Sequence, residues 1–178
     1  NGMFGGIAAD GGNRLQPVWD HFSGAVADGR LRTRWLDVAP AKLAAIEKCG
    51  VSHSHSLYGR NENVAALSVG EIVNWRDLSL ELSGSRRAFN DQDELLAEAY
   101  QRWDERLLAR LDGAFVAALW DCRTKRLILL CDRRSDRSLY YRVSYDGIVF
   151  SSSLSLFANL AAAIDSQAVK EFLRFLYV

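Results

Sequence analysis

Apolar residues along this chain follow two spacings, one suited to helices and one to strands, and the two occupy different stretches. The clearest stretch is 111–153. It holds four apolar runs rich in Val, Ile, Leu, Phe and Tyr, each bounded by Gly, Asp, Ser or a charged pair, which predicts a meander of four adjacent antiparallel strands. Residues 114–120 are almost wholly apolar, so that strand is expected in a sheet covered on both faces, which requires a further layer. The polar stretch 121–125 and the Tyr145-Asp146-Gly147 link, with its Asp-Gly pair, predict short turns.

Upstream, residues 4–8 read as a first strand running into the turn Asp10-Gly11-Gly12-Asn13. Leu15, Val18, Trp19, Phe22 and Val26 recur at helical spacing with Pro17 near the start, which predicts a helix over 14–27. Residues 32–38 alternate loosely, as a partly exposed strand does, and 64–69 form a strand that continues into Gly70-Glu71-Ile72. Asn74 or a neighbour is expected to cap a segment anchored by Leu78, Leu80 and Leu82. A helix over 90–103 carries Leu95, Leu96, Ala99, Tyr100 and Trp103 on one stripe and is capped by Asn90 or Asp91. A second helical stretch over 105–111 buries Leu107, Leu108 and Leu111. Residues 154–160 form a short helix, and 165–178 begin another with Val169, Phe172, Leu173 and Leu176 on its apolar face.

Composition narrows the class of protein. At 178 residues, half of them apolar, the chain is long enough for one domain with a substantial core, spanning 1–178. Its 22 basic and 22 acidic residues cancel, so no global field points to nucleic acid or an anionic membrane as partner. No apolar run suffices to span a bilayer and no basic region precedes an apolar core near the start, which predicts a soluble, cytoplasmic protein with Met3 as its natural first residue. Cys49, Cys122 and Cys131 lack paired spacing, and a reducing compartment fits them. His53 and His55 would face the same side of a strand, but no third ligand has suitable spacing, so no metal site is assigned.

Four strings within the central stretch carry a resemblance that extends over the whole chain: Leu119-Trp120-Asp121, Cys131-Asp132-Arg133, Ser138-Leu139-Tyr140-Tyr141 and Phe150-Ser151-Ser152-Ser153. In order and spacing they are similar to the Leu-Trp-Asp, Arg-Asp-Arg, Pro-Leu-Tyr-Tyr and Phe-Ala-Ser-Glu strings of the N-terminal class II glutamine amidotransferase half of asparagine synthetases. The resemblance implies an α+β fold of the N-terminal-nucleophile (Ntn) hydrolase type, a four-layer α/β/β/α sandwich of two stacked antiparallel sheets with helices outside.

The resemblance also implies where chemistry would sit, and there the chain departs from the family. Family members begin Met-Cys-Gly-Ile-Ala, and the exposed cysteine is both the nucleophile and, through its free amine, its own base. Setting Gly6-Ile7-Ala8 on Gly-Ile-Ala places Gly5 at the nucleophile position, with no atom able to attack a carboxamide. The family's Asn-Gly-Glu-Ile segment is similar to Val69-Gly70-Glu71-Ile72, with Val69 in place of the asparagine that donates to the developing oxyanion. Asp91-Gln92-Asp93 resembles an Asp-Thr-Glu string whose aspartate holds the substrate's amino group. Gly70, Glu71 and Asp91 therefore stand as vestiges of a glutamine pocket, and no catalytic residue is assigned. The family's His-Arg-Gly-Pro-Asp and Arg-Leu-Ser-Ile strings have no counterpart: His21 reads as an exposed helix residue, Arg60 as a surface residue, and Cys49 as an internal thiol without a free amine.

Two independent losses imply an amidotransferase-like domain without glutaminase activity. Within the superfamily that resembles lasso-peptide macrolactam cyclases and β-lactam synthetases, whose amine comes from the substrate itself. The expected parent is an ATP-dependent amide- or lactam-forming enzyme with this chain as its N-terminal domain. No cofactor is assigned here, and ATP and Mg²⁺ are expected in a C-terminal synthetase domain. Expected partners are that domain and a precursor peptide, with a homodimer left open. The competing readings are the N-terminal domain of a glutamine-hydrolysing asparagine synthetase and a non-catalytic peptide- or partner-binding domain.

Overall fold

A computed structural model describes residues 2–8, 15–25, 31–48, 59–60, 63–83, 89, 91–134, 136–157 and 166–175. Two antiparallel sheets are stacked face to face. The first has five strands, β1 (Gly2–Ala8), β2 (Leu31–Val38), β3 (Ala41–Lys48), β8 (Tyr140–Ser144) and β9 (Gly147–Ser151), in the order β2-β3-β1-β9-β8. The second orders β4 (Gly59–Arg60), β5 (Val64–Ile72), β6 (Gly113–Asp121) and β7 (Arg126–Cys131) in sequence.

The run 114–120 is apolar because β6 is covered twice. Val116, Ala118 and Trp120 face the first sheet, where they meet Met3, Leu43 and Phe150, together with Ala65, Leu67 and Val69 of β5. Phe115, Ala117 and Leu119 face the other way, against Leu96, Ala97, Ala99 and Tyr100 of the helix α3 (Gln92–Trp103). Outside the first sheet lies α1 (Gln16–Ala25), whose Trp19 and Phe22 pack on Phe4, Ala44 and Val149. Phe4 meets Phe22 and Trp35 edge to face, with ring centroids 5.1 and 5.0 Å apart. Such pairs contribute about 0.5–1.5 kcal/mol each beyond their burial. The layers are thus α/β/β/α, as the resemblance implies.

Several expectations need correction. The stretch 111–153 is not one meander: β6 and β7 pair in the second sheet, β8 and β9 in the first. Between them the charged segment 132–139 crosses from one sheet to the other, and local apolar pattern cannot distinguish that from a turn within one sheet. β3 pairs with both β1 and β2, although its Ala-Lys-Leu-Ala-Ala-Ile-Glu-Lys sequence favours helix; here long-range pairing overrides local propensity. In α2 (Trp75–Ser83) Leu78 is buried but Leu80 is 64 % exposed, and Leu108 is 40 % exposed in the 3-10 segment Asp104–Arg110. The Asn74 side chain does not close its own helix; it donates to the Arg110 carbonyl and accepts from the Asp112 N–H.

The hairpin link 145–146 ends on Gly147 at φ 139°, a backbone that the Asp-Gly pair anticipates. A short 3-10 turn, Leu154–Phe157, follows β9, and α4 spans Ser166–Phe175 with Val169 and Leu173 exposed. No helix among the described residues is long and apolar enough to cross a membrane. Cys49, His53, His55, Asn90 and the turn 10–13 lie outside the described residues.

Candidate functional site

Gly5 is the fourth residue of β1, paired with Leu43 on one side and Phe150 on the other. It lies on the face turned toward the second sheet. A β-carbon built there would stand 2.5 Å from the Lys42 carbonyl oxygen, 2.7 Å from Phe150 Cζ and 3.1 Å from Leu43 Cα. Two of those neighbours are backbone, so they cannot swing aside, and the position has no room for a side chain bearing a thiol. Its neighbour Phe4 is fully buried in the aromatic cluster beneath α1. The start of β1 is held as well: Met3 N–H donates to Ser152 Oγ (2.9 Å), and the Met3 carbonyl accepts from Ser152 N–H (2.9 Å) and Ser151 Oγ (3.2 Å).

Across the cleft, Val69 pairs with Val116 and both side chains face the first sheet. They form the apolar floor of a cavity of about 370 Å³, completed by Asp136, Arg137 and Ser138 of the crossover and by Tyr140, Ser152, Ser153 and Leu154. Valine offers no hydrogen-bond donor there. Gly70 follows at φ 110°, and a β-carbon on it would collide with the Ala114 carbonyl oxygen and stand 2.8 Å from Arg137 Nε. Only glycine lets the chain turn here and lets the arginine lie over it.

The crossover that walls the cavity is organised by Asp132. Its buried carboxylate accepts from the N–H groups of Arg134 (2.9 Å) and Asp136 (3.3 Å). Burial opposes ionisation, but these backbone donors outweigh it and hold the carboxyl below the usual aspartate range.

Behind Gly70, on the outer side of the second sheet, the start of α3 grips β5. Gln92 donates through Nε2 to the Gly70 carbonyl (3.0 Å) and accepts at Oε1 from the Ile72 N–H (3.2 Å). Asp93 accepts from the Ser68 hydroxyl, and burial drives its carboxyl well above the usual range; the Ser68 hydrogen bond acts against that rise and the Asp91 charge adds to it. Asp91 is the N-cap, with Oδ1 accepting from Asp93 N–H (3.0 Å) and Glu94 N–H (2.9 Å).

Of the residues singled out from sequence, Val69 lines the cavity and Gly70 abuts it through Arg137. Glu71 is exposed on the same face of β5 as Val69 but is not a lining residue, and Asp91 caps a helix on the far side of the sheet. His21 is half-buried on α1, with its ring 6.1 Å from that of Phe22. The sequence reading did not single out Gln92, Asp93 or Arg137. Asp93 had a signal, an acid inside the first turn of a helix with an apolar stripe. Among the described residues no group of three or more His, Cys, Asp or Glu side chains is arranged to hold a metal ion.

A family model described as a glutamine amidotransferase domain matches residues 22–178, most of the chain. The chain belongs to this glutamine amidotransferase domain family. The match begins beyond β1 and covers the β5–β6 pair, the crossover and the cavity. The domain is 29 % identical over 116 residues to a glutamine-hydrolysing asparagine synthetase of Oryza sativa subsp. japonica, covering 65 % of this chain and 19 % of the relative. It is 30 % identical over 116 residues to the corresponding enzyme of Zea mays (65 % and 20 %), and 23 % identical over 135 residues to asparagine synthetase 3 of Bacillus subtilis (73 % and 22 %). The chain thus spans about a fifth of the length of these curated relatives. Among solved structures, the glutamine phosphoribosylpyrophosphate amidotransferase of B. subtilis, complexed with ADP and GMP, superposes with a TM-score of 0.62 at 15 % identity, over 88 % of this chain and 43 % of that one. At that identity the likeness establishes the amidotransferase fold.

Proposed function

We propose that this amidotransferase-like domain lacks glutaminase activity and is part of a longer ATP-dependent enzyme that forms an amide or lactam, of the lasso-peptide macrolactam cyclase type. The observation that carries the first half is the closure of Gly5. It has no nucleophile, and the carbonyl of Lys42 and the ring of Phe150 occupy the space a thiol would need. Val69 adds to it, since removing an oxyanion donor typically costs about 2.7–4 kcal/mol of transition-state stabilisation. The similarity to asparagine synthetases supports the second half. An enzyme whose substrate brings its own amine has no need of ammonia from glutamine, and a β-lactam synthetase shares that logic. ATP with Mg²⁺ would activate a carboxylate on the synthetase portion.

A second reading has support of its own: the similar asparagine synthetases are named as glutamine-hydrolysing, so this domain would be hydrolytic too. Incubation with L-glutamine and measurement of released glutamate separates the two. The expected result is no release above the protein-free rate. Release by the wild type, whether or not it survives Cys49→Ala, would overturn the inactive reading. For the parent enzyme, the coding DNA beyond Val178 is expected to encode a pyrophosphatase-type ATP site beside a small precursor gene; a coding region without a nucleotide site would remove that half of the proposal.

A further inference from the structure

The cavity floored by Val69 and Val116 carries donors that the fold does not use. Arg137 lines it over Gly70, and among the described residues no carboxylate pairs with its guanidinium. Ser138 and Tyr140 line the same space, and among the described residues neither hydroxyl has a partner. The other hydroxyls are committed: Ser152 Oγ to the Met3 backbone, and Ser153 Oγ to Ser155 Oγ at 2.8 Å. The one acid in the lining, Asp136, forms an ion pair with Arg134 at 3.5 Å and is thereby partly neutralised. Among the described residues, one cation and two unpartnered hydroxyls therefore border a space whose floor, Val69, Val116 and Leu154, is apolar.

That arrangement matches one ligand chemistry. A guanidinium presents a planar fork of donors that suits a carboxylate, hydroxyls supply the remaining donors, and an apolar floor accommodates a short aliphatic stem. The volume of about 370 Å³ lies at the small end of ligand pockets, enough for a carboxylate on two or three methylenes.

We propose that this cavity binds a small carboxylate through Arg137, Ser138 and Tyr140, presented either as the acidic side chain of a peptide or as a free acidic amino acid. The inference rests on the reading that the domain does not hydrolyse glutamine, because it makes the pocket a site of recognition without turnover. Nothing is transformed there; the carboxylate is held and released.

The test is calorimetric titration of the 178-residue chain with three probes: L-glutamate, N-acetyl-L-glutamate N-methylamide as a peptide-like acid, and N-acetyl-L-glutamine N-methylamide as its uncharged counterpart. At least one acid probe is expected to saturate in the millimolar range or below, with the uncharged counterpart about tenfold weaker, as for the loss of one charge-assisted contact. Arg137→Ala should weaken the acid by a similar factor, Arg137→Lys by less, and Asp136→Asn should leave it equal or tighter. Both residues are exposed, so the variants are expected to fold, and circular dichroism is the check. Tighter binding of the blocked acid identifies a peptide source, and tighter binding of glutamate a free one; either supports the site. Absence of saturation by both acids, equal affinity for acid and amide, or unchanged affinity in Arg137→Ala would overturn it. Glutamate release measured separately distinguishes the failures: release with Arg137-dependent binding sinks the inactive reading alone, whereas no release and no binding sinks the site alone.

Discussion

Each wall of the cleft has a glycine where the backbone runs tight, and the two glycines do opposite things. At Gly5 the lack of a side chain lets β1 lie flush between β3 and β9, so that Phe150 fills the space a side chain would take. At Gly70 it lets β5 turn at positive φ and lets Arg137 lie over the strand, so that a cavity stays open beside it. One glycine leaves its wall closed and the other leaves a cavity beside its wall. The two walls can differ in this way because different strands build them.

The largest expected effect tests the closed wall. Gly5→Cys places a thiol at this position, but its β-carbon meets backbone on β3 and an aromatic ring on β9. The variant is expected to lose about 3 kcal/mol of stability in denaturant titration, the upper part of the usual overpacking range, and to release no glutamate from glutamine. A stable, hydrolytic variant would show that the wall opens and would break the contrast.

Gly70→Ala tests the open wall. The strained backbone alone costs about 2 kcal/mol, and contact with the Ala114 carbonyl adds to it. Displacement of Arg137 should weaken carboxylate binding in the same variant. Stability lost with binding intact would separate the turn from the site.

Asp91→Ala distinguishes a helix cap from a pocket residue. As the N-cap of α3, Asp91 is expected to contribute about 1 kcal/mol, and its removal should leave carboxylate binding unchanged. Lost binding with little change in stability would return Asp91 to the pocket.

Much of this was legible in sequence where periodicity carried the signal. Leu95, Leu96, Ala99 and Tyr100 mark the buried face of α3, and the unbroken apolar run of β6 reports its two neighbouring layers. β3 was not legible, because its alanines and lysines favour helix and only pairing on both edges makes it a strand. A residue that departs from a motif is easy to read, so Gly5 and Val69 stand out from sequence alone. Side chains that act across space are not: Gln92 bonds to backbone 20 and 22 residues away, and Arg137 meets β5 only because the crossover changes sheets.

The smallest effects sharpen the contrast through two buried acids near the ends of the same open wall. Asp93, behind β5, has its pKa raised by burial; Asp132, at the start of the crossover, has its pKa lowered by backbone donors that outweigh burial. In the unfolded chain both titrate at about 3.9. A raised pKa means that the folded state holds its proton more tightly, so the stability from Asp93 is fully present below the unfolded value and is lost as pH rises through the folded one. A lowered pKa reverses the sign: the stability from Asp132 is present above the unfolded value and is lost as pH falls through the folded one. Asp121, capping the β6–β7 turn through the N–H groups of Arg123 and Thr124, shares the second behaviour, so Asp132→Asn should remove only part of the acid-side loss. Unfolding free energies measured across pH should therefore lose part of their decline toward alkaline pH in Asp93→Asn and part of their decline toward acid in Asp132→Asn. Because asparagine keeps the oxygen that accepts from Arg134 and Asp136, Asp132→Asn should leave carboxylate binding near neutral pH unchanged. If that variant lost the ligand, the negative charge at residue 132 would itself be needed to set the crossover, and geometry alone would not account for the open wall.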